Sequence, residues 1–349
     1  MLQPKITNYE TQLKNNEMTD LKTFDFNLPP LTTEVYFEHF TDYTDNHIRK
    51  MENGEILTPK KRIYSDSSIR QYRGMLESFK EFEENLPRRI KTNEINKKIF
   101  QEFELFLSKK GLALNSASQY ISKLKSISNV LFDEEIIFRP IKYKIHTERT
   151  PKIYLSIEEI SLMKNCPELS ETERLVVDMF LLQTFSCLRY STLVKFLKSP
   201  YGYIKEFKGS SYISITADKT GEDCVIPLSD IIVDILTKYN GNIKPPSESY
   251  INRNLKIIGK KSGLTNLFPH RITIGGEMQE KLIPKYMGIS TTTSRRNFLT
   301  LIKDYVYQDS AITSMSGHKS TQQMESYVQS SKLDKIKPFL NNEFFKLSL

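Results

Sequence analysis

Ser316-Gly-His-Lys-Ser-Thr-Gln-Gln-Met-Glu-Ser-Tyr-Val328 is the stretch on which the reading of this chain turns. Gly317 breaks the helical pattern that runs up to it, and His318 follows at once. Tyr327 comes nine residues after His318. Taken singly, neither is distinctive. A histidine beside a glycine is ordinarily a helix-capping residue, and one tyrosine among 18 is ordinarily a core or surface aromatic.

Three stretches upstream change that. Thr292-Thr-Ser-Arg-Arg-Asn-Phe298 puts Arg295 at the front of a helix, with Arg296 beside it as a helix-face charge or a phosphate contact. Tyr212-Ile-Ser-Ile215 and Cys224-Val-Ile-Pro-Leu228 alternate as strands do and are joined through Asp218-Lys-Thr-Gly-Glu222, a β-hairpin with glycine in its turn and Lys219 at its tip. Before them, Arg189 lies between the apolar run 175–182, a buried helix, and the start of the next helix. A lone arginine there is ordinarily a surface or capping residue, and a turn lysine is ordinarily solvated. Their joint order is what counts, because all five can be set around one phosphate.

Further outward the chain reads as mainly α with a small β-hairpin or sheet. Residues 1–30 are polar, lack apolar periodicity and end in Pro29-Pro30, a tail or short arm. A helical domain follows over 31–138. Its first helix offers Val35, Phe37, Phe40 and Ile48. The second, capped at Ser65–Ser68, repeats Ile69, Tyr72, Leu76 and Phe79, and the third carries Ile99, Phe103, Phe106 and Leu107 up to Gly111. The fourth aligns Ala117, Tyr120, Ile121, Leu124, Ile127 and Leu131. The phenylalanines at this spacing are expected in the core, not as base-stacking groups. Residues 139–154 hold two prolines and five Lys or Arg side chains without helical period. They suit either an extended linker along a phosphate backbone or a solvated loop. The second domain, 155–349, opens with the capping box Ser156-Ile-Glu-Glu159 and reads helical everywhere after Ser229.

At 349 residues, two domains are the default expectation. Hydrophobic residues make up 38% of the chain, enough to bury two cores, yet no run approaches the ~20 apolar residues of a membrane span. The first residues lack the apolar centre of a secretory signal, so a soluble, intracellular protein is expected. Cys166, Cys187 and Cys224 show no metal-ligand spacing and read as reduced and structural. A net charge of +8 and a pI near 9.0 favour a polyanionic partner, though modestly, because both signs are mixed along the chain.

In its order of arginine, lysine-bearing hairpin, Arg-Arg-x-Phe, Gly-His and tyrosine, the chain resembles the tyrosine recombinase or phage integrase family. The likeness is to integrases of mobile elements with Ser-Gly-His-Lys-Ser before the nucleophile. It extends from about residue 31 to the C-terminus. The resemblance implies a two-domain clamp on double-stranded DNA, a helical SAM-like core-binding domain followed by a mixed-α catalytic domain. It implies Tyr327 as nucleophile, Arg189 and Arg295 as a phosphate cradle, Lys219 as the acid for the leaving oxygen, and His318 as a phosphate or proton-transfer ligand. It implies DNA breaking and rejoining without metal, ATP or other cofactor, a homotetramer on paired DNA, and a cytoplasmic, DNA-associated location. A helix over 333–345 would then dock its apolar side on a neighbouring subunit or on its own domain.

Two positions depart from the pattern. Where many members carry a histidine three residues before the second arginine, this chain has Thr292, which can donate a hydrogen bond but cannot shuttle protons at neutral pH. Where many carry an acid three residues after the first arginine, it has Thr192. His270 is too distant in sequence to stand as a substitute. The departures leave room for a catalytically silent DNA-binding relative. A type IB topoisomerase would share the chemistry.

Overall fold

The computed structural model describes residues 37–218, 221–306, 308–325 and 327–328. The arm over 1–30, Val35, Lys219 and the helix expected over 333–345 lie outside them. The chain divides into two compact units: one ends at Phe106 and resumes over Gln119–Ile145, and the other takes Leu107–Ser118 and the chain from His146 on.

The first unit is built on α1 (Phe40–Glu52), α2 (Asp66–Glu84), α3 (Lys97–Lys109) and α4 (Leu114–Asp133), the last two running on into the second unit. α2 starts where it does because the Ser65 hydroxyl accepts from the Ser68 amide at 3.3 Å, satisfying one orphan donor of the first turn. The periodic apolar positions meet inside. Phe40, Tyr72, Leu76, Phe79, Phe103, Ile121, Leu124, Ile127 and Leu131 are all buried. Phe79 is the hub, with ring centroids 4.8 Å from Phe40 and 4.9 Å from Phe103. These rings form core and are unavailable to a base. Glu83 is buried with them, its carboxylate accepting from the Thr41 hydroxyl at 3.0 Å and the Ile90 amide at 2.9 Å, which offsets the cost of burying it.

The second unit opens with α5 (Ile157–Lys164), where the Ser156 hydroxyl accepts from Glu159 N at 3.3 Å and Glu159 accepts from Ser156 N at 2.8 Å. α6 (Glu171–Ser186) is buried along most of its length, as its apolar run predicts, and forms the centre of the core. After α7 (Tyr190–Lys198) and the short α8 (Pro200–Tyr203), β1 (Ile204–Phe207), β2 (Ser210–Thr216) and β3 (Asp223–Pro227) form an antiparallel sheet in chain order. The expected hairpin is β2–β3, with Ile213 opposite Ile226 and Ile215 opposite Cys224, and it gains β1 at its edge. The helices α9 (Asp230–Lys238), α10 (Glu248–Lys261), α11 (Thr291–Leu301), α12 (Asp309–Ser316) and α13 (Thr321–Glu325) complete the unit. Among the described residues, no helix is long and apolar enough to cross a membrane.

The helical reading after Ser229 fails at one place. β4 (Leu267–Ile274) and β5 (Glu277–Pro284) are a second antiparallel pair, Ile274 opposite Glu277, turning through Gly275 and Gly276 at φ +63° and +84°. A two-stranded ribbon leaves much of both faces open and tolerates Pro269 and Pro284, so its alternation is weak: Phe268, Ile272 and Ile274 share one face, but His270 interrupts them and no residue of either strand is fully buried. The Gly-Gly dipeptide was its legible signal.

From His146 the segment read as a linker is fastened to the second unit. Asn115 and Glu148 exchange two hydrogen bonds of 3.0 Å, and the Glu148 carboxylate accepts from the Thr273 amide at 2.8 Å and hydroxyl at 2.6 Å. Further along, Leu155 N donates to Asn297 Oδ1 at 2.7 Å, and Ile153 and Leu155 are buried.

Candidate active site

A cleft of about 280 Å³ opens on the second unit and is lined by Gln183, Arg189, Glu248, Thr292, Arg295 and Tyr327, among others. Residues separated by more than a hundred positions are thus brought together. Each arrives by a local device.

Arg189 is set by the end of α6. Cys187 caps that helix in the left-handed region at φ +54°, and Gln183 Nε2 reaches the Leu188 carbonyl at 3.3 Å across the turn. The chain then leaves Arg189 as the N-cap of α7. Its Nη1 is buried without a hydrogen-bond partner. Burial, and then the nearby Arg295, make its protonated form harder to hold, while Tyr327 favours it. A cationic donor held there unsatisfied is prepared for an anion.

Arg295 sits in the second turn of α11 and is almost fully enclosed. The helix is entered through Ser290, whose amide donates to Thr293 Oγ1 at 3.0 Å, and the Thr291 amide is taken by Asn252 Oδ1 at 2.8 Å. Arg295 Nη1 donates to the Cys187 carbonyl, and Nη2 to the Ser316 carbonyl. One guanidinium therefore joins the turn that carries Arg189 to the turn that carries His318.

His318 follows α12, which ends at Gly317 with φ +60° and ψ +39°. A Cβ on Gly317 would lie 2.5 Å from Cys224 Sγ, so glycine is required both by the backbone and by β3 packed against it. His318 Nε2 stands 3.1 Å from Arg295 Nη2, and its Nδ1 lies 2.7 Å from Ser316 Oγ. Burial, then the charges of Arg295 and Arg189, pull its pKa down to about 3.

Tyr327 comes after α13, its amide donating to the Met324 carbonyl at 3.0 Å. Its ring packs on the small cluster of Cys187, Leu299, Ile312 and Met324. It lies 5.2 Å from the His318 ring, centroid to centroid, and 5.9 Å from the Arg295 guanidinium. Arg189, Arg295, His318 and Tyr327 are thus gathered as the sequence order led one to expect. Lys219 lies outside the described residues.

Of the two departures, Thr292 is exposed on the cleft wall, where it can meet a ligand, whereas Thr192 is buried. His270 is on β4 opposite Lys281. Sequence reasoning missed Glu248, whose carboxylate accepts from Thr291 Oγ1 at 2.8 Å and brings an acid to the cleft wall. It also missed Lys152, whose Nζ is 5.9 Å from the centroid of the Tyr327 ring. Arg296 is not a free helix-face charge. It is partly buried, its Nη1 donates to the Ile153 carbonyl at 3.3 Å, and burial makes its charge costlier while Tyr327 eases it. No local pattern marks these three, because their neighbours are remote in sequence.

Residues 39–145 match the phage integrase SAM-like domain. No protein of curated function matches the chain in sequence. Among solved structures, XerH site-specific recombinase bound to a palindromic difH substrate is similar with TM-score 0.58 and 15% identity, over 87% of this chain and 85% of that one. A lambda integrase dimer bound to a COC' core site gives TM-score 0.60 and 16% identity over 83% and 95%, and lambda integrase is also solved as a tetramer bound to a Holliday junction. The Tn1549 transposon integrase in complex with a circular intermediate DNA gives 0.59 and 13% over 89% and 100%. At such identities the likeness establishes the fold. The chain carries a phage integrase SAM-like domain and has the two-part helical fold of the tyrosine recombinases.

Proposed function

We propose that this chain is a site-specific DNA recombinase that cuts and rejoins double-stranded DNA through Tyr327, serving the integration or excision of a mobile element. The observation that carries the reading is the convergence of Arg189, Arg295 and Tyr327 on one cleft, with His318 buried against Arg295 and the Tyr327 ring. Two arginines suit a phosphodiester in reaction, because a guanidinium is always charged and its planar fork matches the non-bridging oxygens on which transition-state charge accumulates.

In the proposed reaction the Tyr327 hydroxyl gives up its proton to solvent in the cleft as its oxygen attacks the phosphorus, and the bond to the 5′-oxygen breaks. A 3′-phosphotyrosine and a free 5′-hydroxyl result. Lys219 protonates the leaving oxygen, and His318 hydrogen-bonds the phosphate or assists proton transfer. Thr292 donates a hydrogen bond to the phosphate in place of a histidine. Attack by a 5′-hydroxyl on the phosphotyrosine reverses the step, so the ester's energy is conserved and rejoining calls for neither ATP nor metal. Strand exchange between two duplexes calls for four such subunits.

A DNA duplex from beside the gene, nicked next to the cleavage position, traps the covalent intermediate. The expected result is a protein–DNA adduct whose mass spectrum places the nucleotide on Tyr327. An adduct on Tyr305 or Tyr307 overturns the assignment. Binding without any adduct favours a silent DNA-binding relative, a reading that Thr192 and Thr292 support. Relaxation of supercoils by the monomer at any sequence favours a type IB topoisomerase.

A further inference from the structure

We propose that Lys152 is a further residue of the cleavage site, a cation that stabilises negative charge developing on Tyr327, and that Arg296 is its positioning residue. The inference rests on the reading of Tyr327 as the nucleophile and adds a pair of residues to it.

Lys152 approaches the Tyr327 ring as closely as Arg295 does, each 5.9 Å from the ring centroid. An exposed lysine on an irregular segment would ordinarily wander, since its stem has four rotatable bonds. Here the backbone that follows it is tethered. The next residue, Ile153, is buried, and its carbonyl accepts from Arg296 Nη1 at 3.3 Å. Two residues further, Leu155 N is held by Asn297 Oδ1 at 2.7 Å. Arg296 and Asn297 directly follow Arg295 on α11, so the helix that presents the buried arginine also fixes the backbone beside Lys152.

Arg296 bears the mark of a positioning role. Its Nε is buried with no partner, an arrangement that costs stability unless it brings something else into place. The chemistry has a use for what it places. A tyrosine hydroxyl is mostly protonated at neutral pH, and a neighbouring cation favours the phenolate over the phenol. With threonine at 292, a cation on the nucleophile's side meets part of the need that a histidine would otherwise serve.

The test is the single-turnover rate of adduct formation on the nicked duplex, at saturating DNA and across pH, for wild type, Lys152→Ala, Lys152→Arg and Arg296→Gln. Lys152→Ala is expected to slow cleavage about tenfold near neutral pH. The deficit should shrink as pH rises, and Lys152→Arg should restore most of the rate. Arg296→Gln is expected to slow cleavage with its pH profile moved the same way as in Lys152→Ala. A wild-type rate and profile in Lys152→Ala overturns the proposal. So does a deficit that saturating DNA removes, which would make Lys152 a plain phosphate contact, and so does failure of Lys152→Arg to rescue. No adduct with wild type overturns the nucleophile reading itself, whereas an adduct indifferent to Lys152 overturns only this inference.

Discussion

Arg295 Nη2 stands 3.1 Å from His318 Nε2 and also donates to the carbonyl of Ser316, two residues before that histidine. An arginine has no lone pair to offer, and the same Nη2 lies 3.3 Å from Nδ1, so its charge faces both ring nitrogens and disfavours a second proton on the ring. Nδ1 also lies 2.7 Å from Ser316 Oγ, which in turn reaches the Thr313 carbonyl at 3.3 Å. Arg295 therefore does two jobs: it faces the cleft, and it holds its neighbour neutral.

His318 is accordingly expected to stay neutral from about pH 5 to about pH 8 in the free protein. Nitrogen NMR of the imidazoles checks this, and a His318 resonance titrating near 6.5 would contradict it. The sign for stability follows. His318 and the buried His47, at about 4, both have folded pKa values below the unfolded one, so the unfolded chain binds more protons as pH falls below ~6.5. Stability should fall by about 1.4 kcal/mol per pH unit for each group until its folded pKa is reached. His318→Gln should flatten that slope in urea unfolding.

Arg189→Ala and Arg295→Ala should part company. Both should lower the rate of adduct formation by about 100-fold or more, the usual cost of removing a transition-state donor. Arg295→Ala should also destabilise the unit by ~1–3 kcal/mol, because the carbonyls of Cys187 and Ser316 lose their donor. Arg189→Ala should leave the urea midpoint unchanged or raised, since Arg189 Nη1 is buried unpaired. Equal stability losses in the two variants would contradict the arrangement.

Gly317→Ala should cost about 1–3 kcal/mol, for it combines a left-handed backbone with a Cβ pressed 2.5 Å from Cys224 Sγ. Adding Cys224→Ala removes the clash but not the backbone strain, so the double variant should recover part of the loss. Full wild-type stability in Gly317→Ala would show that β3 does not pack there.

Thr292→Ala should slow adduct formation by about 10- to 100-fold, the worth of one hydrogen bond to a charged group. Thr292→His should change the pH dependence of the rate instead of its ceiling alone. A thousandfold loss in Thr292→Ala would mean that the threonine carries a proton-transfer step.

Much of this molecule could be read from local pattern. Three- and four-residue spacing placed Tyr72, Leu76, Phe79, Phe103, Ile121 and Leu124 in a core, and all are buried. The Ser156–Glu159 cap and the β2–β3 hairpin were equally legible, since each depends on residues close in the chain. The linear order of Arg189, Arg295, His318 and Tyr327 grouped these four residues before any distance was known. Tertiary structure alone decided the rest. It showed β4–β5 where the apolar alternation is weak and interrupted, fastened the segment from His146 to the second unit, and brought Glu248 to the cleft wall. It also turned Arg296 inward beneath Ile153 and set Lys152 beside Tyr327. The reason is physical: periodicity and caps report the free energy of neighbours in sequence. The charge and protonation of a site are set by burial and by partners that only folding brings within a few ångströms.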